Sequence, residues 1–457
     1  MRRLLTLTAA LALAACTAVG PDYRSPAPQA PAQAPFLSSR SPNFTQDQPP
    51  GRWWSLFADP LLEQLVEEAL TANTDLRVAS ANLSRARALL RETRAGRLPS
   101  TDLNADIRYA QDPGGDLALR YDAGLDVSYQ VDLFGGIRRA IEASRADVGA
   151  VQAAFDNTRI SVAAETVRAY ADACSAGQQL AVARDSLRLQ EQTFDLTRRL
   201  FEGGRGTALE TGQAGAQLEQ VRATLPTLEA QRAGALFRLA VLTGRPPANF
   251  PAQVAGCQRP PQLSRPLPVG DGASLLSRRP DIRQAERELA AATARVGVAT
   301  ADLYPKVTLG GSVGSSAISL GAIGEGLRFG IGPLISWSFP NTAVARARLG
   351  QARASAQAAL ANFDGVWLRA LQETETALTR YARELERRDS LRRARAQAAE
   401  AARIARLRYQ NGRDPFQIVL DTERSLSNIE AELARSEAQL SDYLVSVFLA
   451  LGGGWQS

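Results

Sequence analysis

Hydrophobic and polar positions alternate with a period of two in four stretches of this chain. Leu103, Ala105, Ile107 and Tyr109 are apolar while Asp102, Asn104, Asp106 and Arg108 are polar. Tyr121, Ala123, Leu125, Val127, Tyr129, Val131 and Leu133 then alternate with Asp122, Gly124, Asp126, Ser128, Gln130 and Asp132. The pattern returns at Val307, Leu309 and Val313, and again at Leu327, Phe329, Ile331, Ile335, Trp337 and Phe339. Period two predicts strands with one apolar and one polar face. Each pair of strands is followed by a long proline-free helical pattern, residues 137–200 and 342–409. Such a helix, about 65 residues at 1.5 Å rise, is roughly 95–100 Å long. Both patterns stop at a glycine-bearing turn, Gly203-Gly204 and Asn411-Gly412, as helix C-termini commonly do. Return helices are expected over residues 207–243 and 414–451, the first kinked by Pro226. Leu180, Leu187, Leu196 and Leu200, like Leu426, Leu433, Leu440 and Leu444, form narrow apolar stripes of the coiled-coil kind.

The chain is duplicated. Asp75-Leu76 aligns with Asp281-Ile282, and Pro99 then falls on Pro305 and Leu103 on Leu309. Phe201-Glu202-Gly203-Gly204-Arg205 aligns with Tyr409-Gln410-Asn411-Gly412-Arg413, Leu218 with Leu426 and Gly244 with Gly452. Proline-rich stretches lie outside these units. The expected organisation is a signal segment (1–15), an extended N-terminal segment (16–60), helices of the first repeat (61–98) and its β-hairpin (99–134) and long helical hairpin (137–244). A proline-rich connector follows (245–280), then a helix of the second repeat (281–304), its β-hairpin (305–340), its helical hairpin (341–451) and a tail (452–457). The fold class is α+β, mostly α, with an elongated subunit.

The first residues are an address. Arg2 and Arg3 precede an apolar run that ends Leu13-Ala14-Ala15-Cys16, too short to span a bilayer as a helix. The ending resembles a bacterial lipobox, in which the cysteine is lipidated and becomes the N-terminus; the other reading is a plain signal peptide. Export implies an oxidising compartment, so Cys174 and Cys257 are either a disulfide or two small buried thiols.

Composition removes whole classes of function. With no His among 457 residues, His-based acid–base chemistry and His metal ligands are excluded. The sequence holds no P-loop and no GxGxxG opening a helix, and the net charge of +6 is spread along helices instead of forming a nucleic-acid surface. No enzyme activity, cofactor or metal is expected. The alternating strands fit a soluble sheet with one wet face, or membrane strands with lipid outside and water inside; the export signal favours the second, with Tyr121, Trp337 and Phe339 as interfacial aromatics. Four strands cannot close a barrel, and open edges are not tolerated in lipid, so several chains must share one: two give about eight strands, three about twelve.

The whole order resembles the TolC-like outer-membrane efflux channels, nearest the NodT-type lipoprotein branch. The residues that carry the resemblance are Cys16 with Gly20-Pro21-Asp22-Tyr23, Trp53-Trp54 with Phe57-Ala58-Asp59-Pro60-Leu61, Leu133-Phe134-Gly135-Gly136, Arg278-Arg279-Pro280-Asp281-Ile282, Tyr304-Pro305 and Leu451-Gly452-Gly453-Gly454-Trp455. It implies a homotrimer with a shared twelve-stranded barrel in the outer membrane, a periplasmic α-helical tunnel and an equatorial belt from the connectors. The implied partners are a periplasmic adaptor, an inner-membrane pump of the RND type and outer-membrane lipid. It also implies an adaptor-contact tip at Gly204, Arg205, Gly412 and Arg413, and a periplasmic gate at Asp421 and Arg424 within the segment Phe416–Arg424. Asp421 would contribute to a threefold carboxylate ring, which repels itself and attracts cations. The plainer reading of Asp421 and Arg424 is an exposed i,i+3 ion pair. The first repeat has Gln213 where the second has Asp421. The alternative to a channel is a structural coiled-coil lipoprotein without a pore.

Overall fold

The computed structural model describes residues 18–26, 34–111, 117–263 and 265–453. The signal segment, Cys16 and Gly454-Trp455 lie outside them. The chain divides into two compact units: Met1–Ala27, Ala81–Ala154 and Asp281–Val366 form one, and Pro28–Ser80, Phe155–Pro280 and Trp367–Ser457 the other. The fold is mostly α and internally duplicated.

In the first unit, four strands make one antiparallel sheet: β2 (Ser100–Gln111), β3 (Leu117–Val131), β5 (Lys306–Ala317) and β6 (Arg328–Ser336), in that order. The two hairpins of the repeats are joined through β3 and β5, from Tyr121 opposite Ala317 to Val131 opposite Val307. Prolines set the sheet's near end. Pro99 and Pro305 restrict the residue before each and lack an N–H, so the helices α2 (Thr74–Ala95) and α7 (Pro280–Ala301) stop short of β2 and β5. The fourth strand is shorter than the sequence pattern suggests: it ends at Ser336, and Trp337 and Phe339 stack on each other with centroids 4.6 Å apart. The Trp337 indole donates to the Leu303 carbonyl at 3.1 Å.

After β3 the chain enters α3 (Gly136–Glu202), whose first N–H groups are capped by Asp132: Ile137 and Arg138 each donate to its carboxylate at 2.9 Å. Residues 19–23 lie as a strap on this start. Val19 N–H donates to Phe134, and the buried Arg139 donates to the Val19 and Gly20 carbonyls and to Asp22 (2.7 Å) and Glu142 (2.8 Å). Gly20 sits so close to Gly297 that a Cβ on it would stand 2.5 Å from the Gly297 Cα. The Tyr23 hydroxyl donates to Glu286 at 2.9 Å.

The second unit carries the main core. Trp53 is fully buried and stacks on Phe448 with centroids 4.6 Å apart. Ala58 adopts the left-handed conformation (φ 50°), which turns the chain so that Asp59 caps α1 (Pro60–Ala72), accepting from Leu61 and Leu62 N–H at 3.1 and 3.2 Å. Its other oxygen accepts the Tyr170 hydroxyl at 2.7 Å; burial first, then this carboxylate, pushes the phenol's pKa up. The motif from Trp53 to Leu61 is therefore architectural. So is Arg279, which donates to the Ala450 carbonyl (3.0 Å) and to Glu373 (2.8 Å).

The segments expected to be extended contain more structure than proline content alone indicates. β1 (Phe44–Thr45) pairs in parallel with β4 (Leu267–Pro268), and α6 (Gly272–Arg278) opens with a capping box from Asp271. Cys174 on α3 and Cys257 in the connector are joined by a disulfide. The return from the first tip is interrupted near Pro226, as expected: α4 (Ala208–Arg222) and α5 (Thr224–Leu242) meet at Ala223, which itself keeps helical dihedrals (φ −64°, ψ −16°). Pro226 cannot donate to the Arg222 carbonyl, and the break falls at Ala223, the next residue. The second repeat has no such proline. Its helices α8 (Ala343–Gln410) and α9 (Phe416–Ala450) are continuous.

Candidate channel wall, gate segment and tips

The register of the sheet puts most of its large apolar side chains on one face. Leu103, Leu125, Val313 and Phe329 lie in one cross-strand row, and Val131, Val307 and Ile335 in another. This face is bare: Leu103 is 80% exposed, Phe329 87% and Ile331 91%. The opposite face carries Asp102 across from Asp126, Asp106 across from Asp122 and Arg108 across from Arg120, with serines of β5 beside Asp122 and Asp126. An apolar band of this size would be costly in water, and charged rows would be costly in hydrocarbon. Each face therefore states its own solvent. The edges β2 and β6 have no partner strand among the described residues.

The two tips share one geometry. Gly204 and Gly412 have φ of 70° and 66°, which favours glycine, and the N–H groups of Arg205 and Arg413 reach back to the carbonyls of Leu200 and Arg408 at 2.8 and 2.9 Å. The side chains of Arg205 and Arg413 are exposed. The exits differ. Thr207 and Glu210 close a capping box on α4, whereas α9 starts after Pro415 without a side-chain cap. There Arg408 grips Asp414 through Nε and Nη2 at 2.7 and 2.9 Å, and these bonds hold the Asp414 pKa below the usual carboxylate range. Phe416, Val419, Leu420, Ala214 and Ala405 pack beneath the tips.

In the segment expected to form the gate, Asp421 and Arg424 are both exposed and each has another partner. Asp421 accepts from Gln417 at 3.1 Å, and Arg424 donates to Gln217 of α4 at 2.8 Å. Between them lies a residue that sequence reasoning passed over. The Glu423 side chain is fully buried, accepting from Arg406 of α8 at 2.7 and 3.1 Å and from Thr193 and Gln190 of α3 at 3.0 and 3.3 Å. One carboxylate thus joins three helices. The signal was present: Glu423 occupies the apolar stripe of Val419, Leu420 and Leu426 at three- and four-residue spacing. Further along, Gln178 and Arg392 donate to Glu437 at 2.6 and 2.9 Å, repeating the arrangement.

An apolar face bare to its surroundings, two open edges and a duplicated long helical hairpin make one comparison decisive. A family model described as outer membrane efflux protein matches residues 65–245 and again 273–453. The chain belongs to the outer membrane efflux protein family. The two matches are offset by 208 residues (273 − 65), which is the internal repeat. The chain is 29% identical to nodulation protein T of Rhizobium leguminosarum bv. viciae, across 99% of this chain and 94% of that protein. It is 32% identical to outer membrane protein OprJ of Pseudomonas aeruginosa, across 98% and 95%. Among solved structures, the outer-membrane channel OprN matches with a TM-score of 0.90 at 39% identity, covering 96% of this chain and all of that one. This is a transport family, and its member here is an outer-membrane efflux channel subunit.

Proposed function

We propose that three copies of this chain close one twelve-stranded barrel and form the passive exit duct of a tripartite efflux system. The observation that carries this reading is the four-stranded sheet with an exposed apolar face and two open edges. In hydrocarbon each unpaired backbone group costs several kcal/mol, so the edges β2 and β6 must meet those of other copies. Three copies supply twelve strands and a lumen lined by Asp102, Asp106, Asp122 and Asp126. The subunit performs no chemistry. Its tips, at Gly204-Arg205 and Gly412-Arg413, receive a periplasmic adaptor, and an inner-membrane pump of the RND type supplies the energy. Lipidated Cys16 anchors the N-terminus to the outer membrane. Asp421, one from each copy, rings the periplasmic end and favours cations. Arg424, tied to Gln217, helps to hold that end closed.

Purified full-length protein should migrate as a trimer in mild detergent and conduct ions across a planar bilayer. A water-soluble monomer without conductance would overturn the proposal. Mass spectrometry of the mature N-terminus checks the anchor separately: diacylglyceryl at Cys16 is expected, and an unmodified N-terminus beyond it would remove that part alone.

A further inference from the structure

All four helix ends of the first unit meet the same end of the sheet, where Ser100 pairs with Ser128 and Lys306 with Ser336. Their basic residues fall into two groups. At the start of α3 and the end of α7 most are neutralised: Arg138 by Asp132, Arg139 by Asp22 and Glu142, Arg295 by Asp147 and Lys306 by Asp302. At the end of α2 and the start of α8 they are not. Residues 85–97 hold five arginines against the single acid Glu92, and residues 341–363 hold three arginines and no acid. Arg94, Arg97, Arg346 and Arg348 are exposed, and among the described residues none has a carboxylate partner.

We propose that these arginines form a collar that binds the phosphates of anionic phospholipids on the periplasmic face of the membrane. The proposal rests on the barrel reading of the sheet. The surroundings fit a headgroup boundary: Leu98 is 66% exposed and Val344 60%, beside the exposed Trp337 and Phe339. Apolar and aromatic side chains mixed with unpaired arginines suit the interface, where stems lie along acyl chains and guanidinium groups reach the phosphates. At 1.5 Å per residue, Arg346 and Arg348 begin about 4.5 and 7.5 Å from the first residue of α8, within one Debye length of that end.

The test compares wild-type protein with the variant Arg94→Gln, Arg97→Gln, Arg346→Gln, Arg348→Gln, reconstituted in phosphatidylcholine vesicles with or without phosphatidylglycerol. The half-life of the trimer on heating should be about tenfold longer for wild type with phosphatidylglycerol present, and this gain should vanish at high salt. The variant should show equal half-lives in both lipids, and the control Arg380→Gln, Arg393→Gln should behave as wild type. Equal half-lives for wild type in the two lipids, or an undiminished gain in the variant, would overturn the collar. So would altered ion selectivity in the variant with its lipid dependence intact, which would put the arginines in the lumen. Conductance of wild type in phosphatidylcholine reads the barrel itself, so failure of that reading is seen separately.

Discussion

Replacing Glu423 by Ala should loosen the contact of α3, α8 and α9 more than any other single change near the gate segment. The substitution removes the acceptor of Arg406, Thr193 and Gln190 at once. Losing one partner of a buried ion pair costs about 3–5 kcal/mol; because the Arg406 side chain is 28% exposed and can recover water, the cost falls near the lower end, about 3 kcal/mol. At about 1.4 kcal/mol per factor of ten, local opening should become roughly 100-fold more frequent. Hydrogen exchange read by mass spectrometry would show this as faster exchange in peptides around Thr193 of α3 and Arg406 of α8, with little change around the Cys174 disulfide. Glu423→Gln keeps hydrogen-bonding capacity without the charge and should lose about half as much. The double variant Glu423→Leu, Arg406→Leu, which leaves no charge unpaired, should approach wild type. Unchanged protection in Glu423→Ala would refute the idea that this carboxylate joins the three helices.

Other outcomes follow from the same geometry. Asp421→Ala should lower cation selectivity in single-channel recordings, while Gln213→Ala at the equivalent place in the first repeat should leave it as it is; an unchanged reversal potential in Asp421→Ala would remove that residue from the conduction path. Cys174→Ser opens a covalent link between residues 83 apart and should cost about 4.5 kcal/mol by the loop-entropy relation, measured as easier proteolysis of the connector. The Asp414 pKa is depressed by Arg408, so its contribution is present above the usual aspartate value of about 3.9 and is lost as pH falls through the lower folded value. Exchange at the second tip should therefore quicken on strong acidification in wild type and stay flat in Arg408→Ala. Ile331→Lys, on the exposed apolar face of the sheet, should weaken the proposed barrel by about 2–4 kcal/mol, read as a trimer that falls apart at lower temperature.

The long elements were legible because their signals are local. Period-two alternation needs only neighbouring residues, and it located all four strands of the sheet. Sequence pattern also set the long helices, whose ends coincide with glycines of positive φ at 204 and 412. Non-local pairings left weaker traces. Nothing adjacent to Phe44 announces its partner Leu267, since a two-residue parallel strand has no period to read. The same holds for the strap of residues 19–23, whose conformation depends on Arg139 and Gly297 more than a hundred positions away. Glu423 was missed for a different reason. A glutamate in a helix rich in arginine and glutamate reads as a solvated residue, and only its place in the leucine stripe marks it as buried.

The two repeats share a backbone plan, and their differences concentrate where one carries charge or proline and the other does not. The first return helix is broken at Ala223 because Pro226 cannot complete the helical ladder, and its tip is fixed by a capping box. The second return is one 35-residue helix that starts without a cap. It carries Asp421, Glu423 and Arg424 where the first repeat, 208 residues earlier, has Gln213, Gly215 and Ala216. Duplication supplies two like hairpins, and a neutral first copy beside a charged second one gives the pair its polarity. Gln217 of the first return accepts from Arg424 of the second, so the neutral copy serves as the fixed partner of the charged one. A hairpin held by a capping box at its tip and a disulfide on its long helix is suited to stay in place. The second hairpin is held near its tip by the polar ties Arg408–Asp414, Arg424–Gln217 and the Glu423 cluster, two of which reach across to the first hairpin through Gln217, Thr193 and Gln190.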